Sequence, residues 1–218
     1  ANFLDAQHAG WRDQAGDCPS PWSRAASRHA AVELARRINA AAVLNPVNLI
    51  ALTLLATPRR SADEQALQRM IAHYQALSSE ATYAPTSIAC KLDAKAVVAY
   101  AERLAVVERF ADPLGDLIRV SDKQAPFLAY FRNNVLHLFA LPALIACLLS
   151  HNRRLDGERV AQAVSGIYAL LRAELFLRWS PAELPAASEA VIRVLIGRGL
   201  LLPSEVSGRL AAAGAVRQ

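Results

Sequence analysis

Tyr130-Phe131-Arg132-Asn133-Asn134-Val135-Leu136-His137-Leu138-Phe139 sets a dense polar cluster directly against a long uncharged run that continues to Ser150. On a helix, Arg132, Asn133 and His137 fall within about one turn of one another on adjoining faces. A chain that buries this segment must satisfy several polar groups at once, because an unpaired polar atom away from water costs free energy. The uncharged run approaches the roughly 20 residues of a membrane span. It nevertheless carries Asn133, Asn134, His137 and Pro142, for which hydrocarbon offers no partners. The expected arrangement is therefore a central buried helix that Pro142 kinks or divides. The polar side chains of the cluster are expected to be largely buried and hydrogen-bonded.

A second uncharged run, Asn39 to Pro58, poses the same problem, with Asn39, Asn45, Asn48 and an internal Pro46. It reads as a helix, a break and a second buried helix. Composition agrees with a helical chain: of 218 residues, 54% are apolar, mostly Ala and Leu, and only nine are Gly. The formal charge is +5, carried almost entirely by Arg spread along the chain. Such an excess fits an anionic membrane face, acidic ligands or an ordinary solvated surface. Cys18, Cys90 and Cys147 are odd in number and far apart, without the paired spacing of a zinc or dithiol site. No metal site is expected. Ala1-Asn2-Phe3-Leu4-Asp5 is no signal peptide, and without an initiator Met the chain reads as a piece of something longer.

Working outward, residues 1–23 are polar and broken by Gly and Pro, which marks a linker or arm leading from an upstream domain, with a helical domain over 24–218. Ala31, Leu34, Ile38 and Ala41 form the stripe of a first helix. Ser61 with Glu64 predicts a capping box ahead of the stripe Leu67, Met70, Ile71, Tyr74 and Leu77. A loop over 78–87 and a helix from Asp93 to Leu104 follow. Residues 106–120 read as a β-hairpin around Asp112-Pro113-Leu114-Gly115-Asp116, the only sheet expected. Ser121 and Gln124 offer another capping box before the Arg-Asn-Asn helix. Asp156 predicts the cap of a helix with the stripe Val160, Val164, Ile167, Leu171 and Leu175, reaching Trp179. Ser180-Pro181 restarts the pattern, and a last helix runs from Pro185 to Gly197. The fold class is mainly α, a multi-helix domain with one small β-hairpin.

The aromatic-Arg-Asn-Asn-x-x-His segment and its apolar helix resemble the C-terminal region of the bacterial glycerol-3-phosphate 1-O-acyltransferases, the PlsB family. Two further stretches match that region in order: Arg37 to Leu49 upstream and Glu174-Leu175-Phe176-Leu177-Arg178-Trp179 downstream. The resemblance implies an intact enzyme that transfers an acyl group from acyl-CoA or acyl carrier protein to glycerol 3-phosphate, giving lysophosphatidate, without a cofactor. It also implies a neighbouring catalytic domain as partner, and peripheral or monotopic contact with lipid at the cytoplasmic face of the inner membrane. Acyl carrier protein is a further candidate partner.

The family's catalytic His-x-x-x-x-Asp pair, a general base with its orienting carboxylate, occurs twice by spacing, as His8 with Asp13 and His151 with Asp156. Neither is surrounded by the family's local signature or followed by its Pro-Glu-Gly block, so no catalytic residue is assigned and the isolated chain is expected to be inactive. Arg132, Asn133, Asn134, His137 and Arg178 are the candidates for substrate binding or a domain interface. The competing reading makes the cluster a buried network that fixes packing, and Arg178 with Glu174 and Trp179 a helix-end salt-bridge unit. A function of another class also has a basis: helices at 61–77 and 93–104 followed by a hairpin have the order of a winged helix. Lys91, Lys95 and Arg103 are too sparse for a nucleic-acid surface, so no nucleic-acid partner is expected. A helical adaptor is the remaining alternative.

Overall fold

The computed structural model describes residues 21–113, 115–151, 155–203 and 209–212. Two compact units divide the chain, 1–38 and 39–218. The first contains most of α1 (Pro21–Ala40), in which Arg37 Nε donates to Glu33 at 2.8 Å one turn earlier. The expected stripe does not pack here: Leu34 and Ile38 stand exposed, since an Ala-rich stripe has little area to bury. The expected arm over 1–23 lies almost wholly outside the described residues.

The second unit is organised around α2 (Pro46–Leu54), the nine-residue helix inside the first uncharged run. The expected break falls before Pro46 and is held by a reciprocal cap. Asn48 N donates to Asn45 Oδ1 and Asn45 N donates to Asn48 Oδ1, both at 2.9 Å. Pro46 occupies the first helical position, where its missing N–H would have had no partner. Every residue from Val47 to Leu54 is buried. That is possible because α3 (Glu64–Glu80), α4 (Ala94–Arg103) and α5 (Ala125–Val135) all pack against α2.

A sheet closes one side: β1 (Ser61–Asp63), β2 (Glu108–Phe110) and β3 (Leu117–Arg119) lie antiparallel in the order β1-β3-β2. The hairpin was legible; the third strand was not. Ile118 pairs with both Ala62 and Arg109 and is buried, while Leu117 and Arg119 face outward, as period-two alternation requires. Ser61 therefore serves as a strand residue, and Asp63 caps α3 instead, its carboxylate accepting from Ala66 N at 3.0 Å. The expected Ser61–Glu64 box is thus displaced by sheet pairing. Glu64 joins Glu102 and Asp116 around Arg109, at 2.6, 2.6 and 2.7 Å. Its hydrogen bonds to Arg109 hold the Glu64 carboxyl below the usual carboxylate range. The connectivity α2-β1-α3-α4-β2-β3, with this strand order, is that of a winged helix.

The segment carrying the polar cluster is divided one turn before Pro142. It runs as α5, a tight 3₁₀ turn over Leu136–Phe139, and α6 (Ala140–His151). Pro142 has no N–H for the carbonyl four residues back, that of Leu138, and its ring crowds that carbonyl, so the irregularity appears upstream of the proline. The Ser121–Gln124 box is also replaced: Gln124 makes no side-chain cap, and Gln124 N and Ala125 N both donate to the Ser121 carbonyl at 3.1 Å.

A second core lies around α6, α7 (Gly157–Leu175) and α8 (Leu184–Gly197). Val160 and Val164 are buried as expected, but Tyr168, one turn beyond Val164, takes the next inward position, its ring against Trp179 with centroids 6.3 Å apart, and Ile167 is exposed. The helix stops at Leu175, four residues short of Trp179, where Phe176 adopts a left-handed backbone with φ 52°. Ser180 N and Oγ both donate to Glu183, at 2.9 and 2.7 Å, which forms the turn into α8 and lowers the Glu183 pKa. A second antiparallel sheet, not expected from the sequence, joins β4 (Leu155–Asp156), β5 (Leu201–Pro203) and β6 (Arg209–Ala212) in the order β4-β6-β5. Its strands are two to four residues long, too short to show an alternating pattern.

Candidate functional site

The three stretches singled out in the sequence meet at Tyr83, a buried residue of the loop after α3. From the first stretch, the Asn39 side-chain amide donates to the carbonyls of Leu175 and Phe176 at 2.8 and 3.4 Å, and its own carbonyl lies 2.9 Å from His137 Nε2. A carbonyl only accepts, so Nε2 carries the proton. From the third, Arg178 N donates to the Tyr83 hydroxyl and Arg178 Nη1 to the Tyr83 carbonyl, both at 2.8 Å. The Tyr83 ring packs edge-on against His137 and Trp179, with centroids 5.3 and 5.1 Å apart. Asn48 Nδ2 adds a tie from α2 to the Phe131 carbonyl at 2.8 Å.

Each tie has a local reason. The left-handed residue at Phe176 costs of order 1 kcal/mol or more in a non-glycine. The carbonyls it and Leu175 present are the ones Asn39 captures. Ala40, which follows Asn39, offers its carbonyl to Thr86 Oγ1 and Ser87 Oγ at 2.7 and 3.0 Å, fastening the Tyr83 loop to the end of α1. A parallel bridge between Val43 and Ile88 extends this attachment. Burial pushes the His137 imidazole below its ordinary value of 6.5, against the opposing effect of the Asn39 carbonyl. A neutral, buried ring bound to a main-chain carbonyl is well suited to packing and poorly placed as a base.

The expected polar cluster is split by this arrangement. His137 is buried, but Asn133 and Asn134 are exposed and Arg132 is only half-buried. Arg132 Nε and Nη2 reach the neighbouring Asn133 Oδ1, at 3.3 and 3.2 Å, on the outer face. The expectation of a largely buried Arg-Asn-Asn network is thereby corrected: α5 buries Leu128 and Val135, seven residues apart, Asn133 and Asn134 fall on the opposite side, and Arg132, one turn after Leu128, lies at the edge of the buried face. Arg178 makes its contacts with Tyr83 in place of the suggested unit with Glu174. His8 and Asp13, and the side chains of His151 and Asp156, lie outside the described residues. Among the described residues no three His, Cys, Asp or Glu come together as a metal site.

A second feature was not foreseen. A half-open groove of about 630 Å³ runs along α6, walled by Met70, Tyr74 and Leu77 of α3 and closed below by Leu171, Leu175 and Leu195. Ala140, Ala143 and Cys147, at spacings of three and four, keep one wall low. That spacing was the available signal in the sequence. The continuous helical run Ala125–Ser150, made of α5, the 3₁₀ turn and α6, is the one among the described residues long and apolar enough, by length and composition, to cross a membrane; 44% of its most apolar stretch is buried inside the protein.

A mainly α domain with two cores, a knot of side-chain-to-carbonyl ties and an apolar groove defines a multi-helix domain. The chain belongs to the family described as the glycerol-3-phosphate acyltransferase C-terminal region, whose model matches residues 1–217. It is 39% identical over 203 residues to a glycerol-3-phosphate acyltransferase of Pseudomonas putida strain GB-1, covering 92% of this chain and 24% of that protein. A glycerol-3-phosphate acyltransferase of Pseudomonas aeruginosa strain UCBPP-PA14 is 37% identical over 201 residues, 91% of this chain and 24% of its own length. The chain thus spans about a quarter of these relatives, which are enzymes by name.

Proposed function

We propose that the chain is the helical C-terminal domain of a glycerol-3-phosphate 1-O-acyltransferase and that it supports the catalytic domain without reacting itself. The intact protein would transfer an acyl group from acyl-CoA or acyl carrier protein to glycerol 3-phosphate. The observation that carries this reading is the convergence on Tyr83: all three resembling stretches meet there, and Asn39, His137 and Arg178 bind main-chain groups. Groups committed in that way fix geometry and do not move protons to a substrate. Asn133 and Asn134, exposed on α5, and the half-buried Arg132 are available to face the catalytic domain or its acyl donor.

The winged-helix connectivity gives the nucleic-acid reading one point of support, and the charges argue against it. The outer face of α4 offers Lys95 and Arg103 beside Glu102, which is itself committed to Arg109. Membrane contact is proposed as peripheral, at the cytoplasmic face, since the longest apolar helix turns Leu141, Ile145 and Leu149 into the second core.

The test is direct. The purified chain, given palmitoyl-CoA and labelled glycerol 3-phosphate, is expected to form no lysophosphatidate, while the intact protein forms it. Turnover by the chain alone, abolished by His8→Ala or His151→Ala, would overturn the proposal.

A further inference from the structure

A cleft of about 540 Å³ opens between the end of α4, the start of α2 and one flank of α5. Leu104, Phe127 and Phe131 stand at its mouth, and the buried Val47 and Val106 form its floor. The Tyr130 ring continues the surface, edge-on to Phe131 with centroids 5.7 Å apart, and Phe131 lies 4.8 Å from Phe127. Tyr130 is 65% exposed, and Phe127 and Leu104 are each 49% exposed. Large apolar side chains gathered in one exposed patch mark a contact surface, because covering them removes apolar area from water. The turn after α4 holds the shape: Ala105 takes a left-handed backbone, φ 52°, and its carbonyl accepts from Gln124 Nε2 at 3.2 Å. The rim is cationic. Arg103 lies 5.7 Å from the centre of the Tyr100 ring in the cleft wall, Lys123 adjoins Gln124, and Arg132 adjoins Phe131. The nearby acids are committed elsewhere, Glu102 to Arg109 at 2.6 Å and Asp122 to Arg60.

We propose that this cleft is where the catalytic domain docks, by inserting an apolar side chain flanked by Asp or Glu between Leu104 and Phe127. The chain covers 24% of a relative's length, and the rest of such a protein has to meet it across some surface. Composition suits that partner, since protein interfaces centre on aromatic residues and Arg that fill or line pockets. Charge selects its sign: three cations around an apolar mouth favour an acidic surround. A second copy is a poorer occupant, because a two-fold pairing sets the same cationic rim against itself. A bilayer is poorer too. Its surface takes up protruding side chains and would leave the recessed floor of Val47 and Val106 unfilled, which forfeits their contacts. The inference rests on the proposed supporting role for the partner's identity and on the cleft for its chemistry.

Hydroxyl-radical labelling of Tyr130 and Phe127, read by mass spectrometry in residues 1–218 and in the intact protein, measures the cover directly. Labelling is expected to be about tenfold lower in the intact protein, because the centre of an interface excludes water. Arg103→Glu, Lys123→Glu and Arg132→Glu, combined in one variant, are expected to raise Tyr130 labelling of the intact protein about fivefold and to leave that of residues 1–218 unchanged. If the triple variant fails to fold, the comparison of the two unaltered proteins still decides. Equal labelling in the two proteins, or a triple variant that is silent in both, would overturn the proposal. So would protection of residues 1–218 that grows with their own concentration, which assigns the cleft to a second copy, or their protection by phosphatidylglycerol vesicles, which assigns it to lipid. Lysophosphatidate formation by the intact protein is followed in parallel: a covered cleft in an inactive protein keeps the docking surface and removes the acyltransferase reading.

Discussion

Two uncharged runs of similar length, each with a proline and several asparagines, end in opposite situations. In Asn39 to Pro58 the proline starts a helix that three others surround, and eight consecutive residues of α2 are buried. In Asn133 to Ser150 the helix α6 packs on one face among the described residues. Leu141, Ile145 and Leu149, four apart, enter the second core while Ala143, Ala146 and Cys147 are exposed in the groove. Absence of charge marks a segment that can be buried; the number of neighbours decides how much of it is. The small residues make the difference visible. Buried Leu and Ile line α2, whereas the outer face of α6 is mostly Ala and Cys, which leaves space that no side chain among the described residues fills.

The sharpest way to break this comparison is to truncate both runs at their inner faces. Leu49→Ala and Ile145→Ala remove side chains that are 0% exposed, and each is expected to destabilise by about 3 kcal/mol, lowering the melting temperature by about 10 °C. Comparable losses would show that α6 is as firmly packed on its inner side as α2. A loss of under 1 kcal/mol for Ile145→Ala would show that the second core carries little of the stability.

Next in size is the Tyr83 knot. Tyr83→Phe removes the hydroxyl that accepts from Arg178 N and is expected to cost about 1–2 kcal/mol in chemical denaturation, because a part-buried main-chain N–H loses its partner. A thermally silent Tyr83→Phe would mean that the three stretches meet without depending on one another.

His137 gives a pH signature. Its folded pKa lies below 6.5, so the unfolded chain binds the proton first as pH falls. Stability is then complete above about pH 6.5 and declines below it until the folded pKa is reached, by at most about 1.4 kcal/mol per pH unit. His137→Gln is expected to flatten that slope in urea titrations between pH 7 and 5. His73, also lowered, contributes a residual slope that His73→Gln removes. An unchanged slope in both variants would contradict the assignment.

The smallest effects are expected outside. Arg132→Ala and Ala143→Ser change exposed or half-exposed positions and should each move stability by no more than about 0.5 kcal/mol. If Arg132→Ala leaves the melting point intact but lowers acyl transfer in the intact protein, the outer face of α5 touches the catalytic domain or its substrate. A clear drop in melting temperature would restore the buried-network reading of the cluster.

Much of the fold was legible locally. The stripe of α3, the span of α4, the break at Pro46, the hairpin and the restart after Ser180 all follow from interactions within a few residues, which periodicity and turn chemistry report. The misplaced features have a common cause. Ser61 left its cap to pair with Arg119, a residue 58 positions away, and Tyr168 displaced Ile167 once the second core formed. The candidate site divided along the same line. His137 and Arg178 were identified, but Tyr83 lay in what read as a plain loop, and its partners come from stretches separated by up to 95 residues.

The sequence by itself determined the helical class, the apolar runs and the resemblance that names the family, because composition, spacing and ordered motifs are properties of the chain alone. Only the tertiary structure decided which polar groups are buried, where three distant stretches meet, and that the described residues leave one face of α6 open. Burial and hydrogen-bond satisfaction depend on what packs from elsewhere, and no local pattern records an absent neighbour.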